Sequence, residues 1–378
     1  MLNIVADQNI PLVKELFKSV GRVTLVDGRA LCATQVTDAD VLLVRSVTPV
    51  NERLLAGSRV QFVGSATAGY DHLDLAYLAQ RNIPVALASG ANAESVVEYV
   101  LAAICSQPDF LTGLLNGGVL GVVGYGHVGK RLVEVATCLG MNVLAYDPFV
   151  DCGAYGTDLD RVLKCDVISL HCELTHNGPF PSQHLLNQAR LDHLVGGQLL
   201  INASRGGVID NSALLKRLHQ DNPPTVVLDC WESEPKICEA LASMVSIATP
   251  HVAGYSYDGK ARGTMMLRDA LGKSLNRSFN SFKFDSDVFL DVDSSGELST
   301  VISDLIASVY RIETDDAELR SALAKANSAS DGEWFDRLRR NYPIRRELMG
   351  ATLVAEQFTD TVQTLGRCFR LELMQRNV

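Results

Sequence analysis

Two successive series of short β-branched runs, each alternating with helix-like stretches, constrain this chain more than any other feature. The first series is Leu2 to Ala6, Arg22 to Val26, Val41 to Arg45, Gln61 to Gly64 and Ile83 to Ala86. The second is Val119 to Val123, Asn142 to Tyr146, Val167 to His171, Gln198 to Asn202, Thr225 to Asp229 and Val245 to Ala248. Runs that are apolar on both faces suit strands covered by helices on either side, so each series predicts a doubly wound parallel sheet. Between the series, Asn92 to Ser106 reads as a helix with Val96, Val100 and Ala103 on one face. A second helix, over Ser256 to Arg277, would carry the chain back to the first layer.

With 378 residues, the chain is too long for one ordinary core and suggests two or three domains. From about Asn280 it turns rich in Ser and Asp, which reads as linker, edge strand and turn. Beyond lie expected helices over Leu298 to Tyr310 and Asp315 to Lys325, and a last segment over Thr352 to Leu373. The expected domains are therefore 1–92 with 256–284, then 93–255, then 285–378.

A net charge of −10 disfavours nucleic acid as a partner and means that an anionic substrate needs local arginines. Asp7 interrupts the first apolar run and no run reaches spanning length, so neither a signal peptide nor a membrane partner is expected. Nine cysteines without a CxxC pair fit a reducing cytoplasm. His171, Cys172 and His176 form one local group of soft ligands, but no second group accompanies it, and no metal is expected.

The segment VLGVVGYGHVGKRLVEVATCLG sets Gly124, Gly126 and Gly129 at a strand-to-helix turn, the context that a dinucleotide fingerprint requires. Gly124 permits the tight turn. Gly126 lets a pyrophosphate approach the helix N-terminus, and Gly129 lets helix and strand pack closely. Asp147 ends the next strand after 17 intervening residues. A carboxylate there accepts from ribose hydroxyls and repels a 2′-phosphate, which favours NAD over NADP.

Three later strand ends carry NASRGGVID, LDCWESEP and TPHVAGYS. Oxidising a secondary alcohol with NAD needs a base, a cation for the neighbouring carboxylate and a hydride acceptor. His251 suits the base, Arg205 the cation, and Glu234 the group that orients the imidazole. Singly, these residues read equally as a turn histidine, a loop ion pair and a surface glutamate. Their occurrence at successive strand ends on the nucleotide side favours catalysis.

These residues, in this order, resemble the D-2-hydroxyacid dehydrogenase family over about residues 1–280. The resemblance implies an α/β fold in which a Rossmann NAD domain is inserted in a flavodoxin-like substrate domain. It implies Arg205, Glu234 and His251 as catalytic residues, with Asp229 against the nicotinamide carboxamide. Further cofactor contacts are implied for His127, Val128, Asp147, Thr175, Ala203, Ser204, Arg205 and Gly254. The stretches VRSVTPVNERLLAG, VGSATAGYDHLD and HVAGYSYDGKARGT, with the appended C-terminal unit, are similar to one branch of the family. That branch oxidises a phosphorylated four-carbon hydroxy acid in vitamin B6 biosynthesis. It implies Ser46, Thr67 and Tyr255 as substrate contacts, and a homodimer through a small C-terminal α+β domain. Arg45 is a candidate for the substrate phosphate, although an ion pair with a surface carboxylate explains it as well. Arg345 and Arg346 are candidates for a neighbouring subunit's phosphate site. Two other readings stay open: a dehydrogenase of another phosphorylated acid such as 3-phosphoglycerate, and a non-catalytic NAD-binding co-regulator.

Overall fold

A computed structural model describes residues 1–279, 286–293, 295–326 and 332–376. The chain forms two compact units, residues 1–92 with 256–285 and residues 93–255 with 286–378. Among the described residues no helix is long and apolar enough to cross a membrane.

The first unit holds β1 (Leu2–Asp7), β2 (Gly21–Val26), β3 (Val41–Val44), β4 (Phe62–Ser65) and β5 (Val85–Leu87). They pair in parallel in the order β2-β1-β3-β4-β5, the flavodoxin-like arrangement. β5 starts later than the apolar pattern predicts, after Pro84, which has no N–H to give to a ladder. Ser256 caps the helix Tyr257–Ser274 by accepting from the Gly259 N–H at 2.9 Å. Leu267 and Leu271 of that helix join Ile4, Leu43 and Phe62 in one buried cluster.

The second unit contains β6 (Val119–Val123), β7 (Asn142–Tyr146), β8 (Val167–Leu170), β9 (Leu199–Asn202), β10 (Thr225–Leu228) and β11 (Ile247–Ala248). Their order is β11-β10-β9-β8-β6-β7, all parallel. A single parallel bridge from Ala145 to Gly156 stands beside β7, where a Rossmann sheet has its third strand. The chain order therefore reverses between β6 and β8, which places the ligand crevice at the carboxyl ends of these strands.

The C-terminal residues add β12 (Phe289–Asp291), β13 (Thr352–Ala355) and β14 (Glu372–Gln375), a parallel sheet in that order. The expected last segment resolves into β13, the helix Asp360–Phe369 and β14. The sequence pattern missed the helix Glu333–Arg340, whose arginines mask two buried aromatics, Trp334 and Phe335.

The helix Ala93–Cys105 departs from expectation in a telling way. It is buried on every side rather than along one stripe. The reason is that Val301, Ile302, Leu305 and Ile306 of the helix Leu298–Val309 share a core with Val96, Val100 and Leu101. Burial then demands partners for the helix's carboxylates. Arg131 Nε donates to both Glu94 oxygens at 2.9 Å, and Arg370 adds a third bond at 3.0 Å. Arg345 lies 3.7 Å from Glu98, stacks on the Tyr310 ring at 3.7 Å, and donates to the carbonyls of Ser95 and Ala253. A disulfide joins Cys138 to Cys368, a pairing that cysteine spacing did not foresee.

The Arg345 contacts correct one expectation. A guanidinium this buried, with both terminal nitrogens donating to carbonyls of its own chain, is not available to a neighbouring subunit. Arg346 pairs with Asp287. Replacing Arg345 with Met should cost about 3–5 kcal/mol, because it strands a buried carboxylate and two carbonyls. Denaturant unfolding of the two proteins measures this.

Candidate active site

The nucleotide turn is shaped by steric limits that only glycine meets. Gly124 has φ 94°, and a Cβ there would lie 2.7 Å from the Cys172 nitrogen. A Cβ on Gly129 would stand 1.9 Å from the Gly124 carbonyl oxygen. Gly126 is different, since a Cβ there would meet nothing. It caps the helix His127–Cys138 without a side-chain cap, so no capping side chain competes with an anion for the first N–H groups of that helix. His127 is exposed and Val128 half-buried at the start of the same helix.

Asp147 follows β7. Its Oδ2 accepts from the Tyr125 N–H at 2.8 Å, and its Oδ1 from Phe149 and Val150. The carboxylate is thus tied to the glycine turn itself. Oδ2 keeps one further acceptor site, which is compatible with a ribose hydroxyl. Thr175 sits in the loop after β8, where its N–H and hydroxyl both bond Ser182 Oγ. Turn, helix N-terminus, Asp147 and Thr175 together fit a bound dinucleotide.

Arg205, Glu234 and His251 come from loops after β9, β10 and β11, and all three border one cavity of about 300 Å³. His251 Nδ1 and Glu234 Oε2 lie 2.8 Å apart. Glu234 Oε1 accepts from the Trp231 N–H at 2.8 Å, and Trp231 Nε1 donates to the Thr249 carbonyl at 2.9 Å. Two crossing bonds therefore lock the Glu234 loop to the His251 loop. Arg205 heads a short 3-10 turn, with Nη1 on the Ser204 carbonyl at 2.9 Å. Ser204 is itself held by Asn202 Oδ1. Next to Arg205, Gly206 brings the two loops together: a Cβ there would sit 1.9 Å from the Trp231 carbonyl. Ala203 is half-buried beside this turn.

Asp229 is buried and bonded throughout. Oδ1 accepts from Thr249 Oγ1 at 2.7 Å and from the Val252 N–H at 2.8 Å, and Oδ2 from the Ala253 N–H at 3.0 Å. Its own carbonyl accepts from the His251 N–H at 2.8 Å. Gly254 and Tyr255 complete this turn and are half-buried.

Burial opposes ionisation of Glu234, but the His251 charge and hydrogen bond, the Trp231 N–H and Arg339 together hold its carboxyl below the usual range. The pair therefore stabilises the folded site above the ordinary carboxylate range, and that contribution fades as pH falls through the lowered value. Burial pushes the Cys230 thiol well up, against the smaller effects of Arg205 and Arg339, so it is a donor, to the Ser204 carbonyl at 3.3 Å. Cys230, Glu234 and His251 are close enough to share a metal ion, yet the protonated thiol and the Glu234–His251 bond suit an acid–base pair better. His171, Cys172 and His176 point to separate tasks. His171 bonds Ser169, and burial lowers it to about 3. Burial pushes the Cys172 thiol up to about 12, and His176 bonds Gln183.

Several supporting residues escaped the sequence reading. His184 Nε2 lies 2.6 Å from Glu232 Oε1, whose other oxygen accepts from the Asn211 N–H at 2.9 Å. Asn211 Oδ1 accepts in return from the Glu232 N–H. This exchange braces the Glu234 loop against the helix Asn211–Leu218. No sequence motif announces it, because the partners are far apart in the chain.

The remaining candidates lie in the first unit. Arg45 Nε donates at 3.0 Å to Asp7, a buried carboxylate rather than a surface one. Ser46 is exposed in the turn after β3. Thr67 Oγ1 lies 2.8 Å from Ser65 Oγ, which in turn meets His72 Nε2 at 2.9 Å.

Residues 86–253 match the family model of the D-isomer specific 2-hydroxyacid dehydrogenase NAD binding domain, and residues 289–366 match a domain of unknown function, DUF3410. The chain is 44% identical to erythronate-4-phosphate dehydrogenase of Cellvibrio japonicus over 92% of its length and 93% of that protein's. It is 42% identical to the protein of the same name from Pseudomonas putida, covering 96% of this chain and 98% of that one. Among solved structures it is similar to D-lactate dehydrogenase from Aquifex aeolicus complexed with NAD and lactic acid, with TM-score 0.58 and 23% identity. That match covers 72% of this chain and 95% of the other. NAD-bound 3-phosphoglycerate dehydrogenase of Entamoeba histolytica gives TM-score 0.59 at 22% identity, over 75% and 99%. The structural likenesses carry the fold.

The glycine geometry separates two substitutions. Gly129→Ala should destabilise the protein by about 1–3 kcal/mol through overpacking. Gly126→Ala should leave stability within about 1 kcal/mol and weaken NAD binding by about tenfold. Thermal melting and fluorescence titration with NAD read the two effects. If Gly126→Ala binds NAD as the wild type does, the cofactor does not approach this turn.

Proposed function

The chain belongs to the D-isomer-specific 2-hydroxyacid dehydrogenases, in the branch of the erythronate-4-phosphate dehydrogenases, and on that premise we propose the following reaction and roles. It is an NAD-dependent oxidoreductase. Its substrate is 4-phospho-D-erythronate, oxidised at C2 to 3-hydroxy-2-oxo-4-phosphooxybutanoate in pyridoxal 5′-phosphate biosynthesis. The observation that carries the reading is the Glu234–His251 bond bordering the same cavity as Arg205.

NAD, when bound, supplies the hydride acceptor. The Glu234 bond occupies Nδ1 of His251 and leaves Nε2 to take the proton from the C2 hydroxyl. Glu234 then stabilises the imidazolium that this transfer creates. Arg205 holds the substrate carboxylate and the carbonyl oxygen that develops at C2. Gly124, Gly126, Gly129, His127, Val128, Asp147, Thr175 and the Ala203–Ser204–Arg205 backbone hold the cofactor, with Asp229 and Gly254 at its nicotinamide end. Ser46, Thr67, Tyr255 and Arg45 hold the substrate. Wild-type enzyme should prefer 4-phospho-D-erythronate to 3-phosphoglycerate in kcat/KM. His251→Asn should lower kcat by about 10²–10⁴-fold. A stronger preference for 3-phosphoglycerate would sink the substrate, and an unaltered His251→Asn enzyme the mechanism.

We also propose a homodimer built through the C-terminal domain, and a cytoplasmic setting. In favour of the first, one face of the β12-β13-β14 sheet buries Leu290 and Leu353, while Phe289 and Met374 stand exposed. Exposed apolar side chains on such a face, set among Asp291 and Glu372, are suited to a second copy. Seven free thiols, including the exposed Cys32 and Cys238, favour the second against the single Cys138–Cys368 disulfide. Sedimentation should find a dimer at micromolar concentration, and Met374→Asp should yield a folded monomer. A wild-type monomer, or a variant still fully dimeric, would count against the interface.

A further inference from the structure

The helix Glu333–Arg340, which belongs to the C-terminal domain, brings an arginine to the catalytic loops. Trp334 and Phe335 anchor this helix in the cluster that also holds Trp231, Leu241 and Ala248. Arg339, one turn on, lies over the Tyr255 ring with its guanidinium carbon 5.7 Å from the ring centre. The other edge of that environment is Tyr342, which meets Tyr255 edge-on at 5.7 Å. Burial opposes the Arg339 charge, but Tyr255, Glu234 and Asp336 more than offset this, so the group stays cationic.

What distinguishes Arg339 is how little of its bonding capacity the protein uses. Its nearest carboxylate is Asp336, at 3.8 Å from Nη1, too far for a good hydrogen bond. Its Nε is buried without an acceptor. Arg131, Arg217 and Arg320, by contrast, each donate from Nε to carbonyls or carboxylates of this chain, and Arg345, whose Nε is also unpaired, donates from both terminal nitrogens. A buried donor without a partner costs roughly 1–3 kcal/mol and is retained where a ligand satisfies it.

The reading proposed above calls for two cations, since the substrate carries a carboxylate at one end and a phosphate at the other. Arg205 is assigned the carboxylate. Arg45 gives its Nε to Asp7 and keeps only its terminal nitrogens for the substrate. We propose that Arg339 binds the phosphate of the substrate beside the Tyr255 ring, making the C-terminal domain part of the substrate site. This inference rests on the phosphorylated-substrate reading. A planar fork of donors matches phosphate oxygens.

The test compares full-length wild type with Arg339→Gln and Arg339→Lys on 4-phospho-D-erythronate and on unphosphorylated D-erythronate. The second acid is followed as a substrate or, where turnover is too slow, as a competitive inhibitor. Arg339→Gln should raise KM for the phosphorylated acid by about tenfold or more, with kcat within about threefold. The unphosphorylated acid should bind as before, and so should NAD by fluorescence titration. Arg339→Lys should recover part of the loss, because it keeps the charge and loses the fork. Melting curves certify that each variant is folded, and the lysine variant serves if glutamine does not fold. An unchanged KM for the phosphorylated acid overturns the inference while leaving the substrate reading intact. Equal losses for both acids also overturn it, placing Arg339 with Glu234 or the carboxylate instead. A wild-type enzyme indifferent to the phosphate overturns both.

Discussion

The carboxylate of Asp229 is the constraint on which the proposed catalytic arrangement depends. It accepts from Thr249, Val252 and Ala253, and so fixes the chain on both sides of His251. His251 has φ 57°, a left-handed conformation that costs a non-glycine residue roughly 1–2 kcal/mol. Without its neighbours anchored, that residue would relax into an ordinary extended or helical conformation and turn its ring away from Glu234. Charge-assisted bonds to a buried acceptor are strong enough to hold it. Asp229 is therefore first a structural hub, and any contact to the cofactor is added to that task.

The same logic extends outward. Thr249 also bonds the Tyr99 hydroxyl at 2.7 Å, which fastens the turn to the helix Ala93–Cys105. That helix is enclosed by C-terminal residues, and its Glu94 and Glu98 are answered by Arg131, Arg370 and Arg345. Arg345 closes the circuit by donating to the carbonyl of Ala253, the residue whose N–H Asp229 accepts. The residues after 285 thus belong to the core of the nucleotide-binding unit, whatever they also do between subunits. Asp315, held up to about 6 chiefly by burial, sits in the same web, accepting from Tyr310 and Tyr342.

The sequence made the sheets legible because buried parallel strands are nearly continuous apolar runs, and β6 and β7 begin and end where the pattern says. The catalytic candidates were legible for a different reason: a polar residue just beyond an apolar run at a strand's carboxyl end has few structural duties of its own. What stayed hidden depends on distant pairing. Arg345 lies 250 residues from Ser95, and no local periodicity encodes that bond. The helix Ala93–Cys105 was read as one-sided because Glu94 and Glu98 look like solvent-facing charges until their arginines are known. Arg45 shows the opposite limit, since the sequence allows a carboxylate partner but does not show that Asp7 is buried.

Chemistry and specificity are consequently built from different materials here. The groups proposed for proton and carboxylate handling are braced through main-chain bonds, such as Trp231 N–H to Glu234 and His251 N–H to the Asp229 carbonyl. Such bonds survive side-chain variation, which suits a reaction step shared across a family of acids. A charged group that must distinguish one acid from another has to sit where neighbouring side chains can change without disturbing that frame. The helix Glu333–Arg340 meets this condition: its aromatic residues anchor it while its polar side reaches Tyr255. An appended domain that shares the core of the nucleotide-binding unit can hold such a group steadily against the proposed catalytic groups, because its own backbone does not have to form their loops.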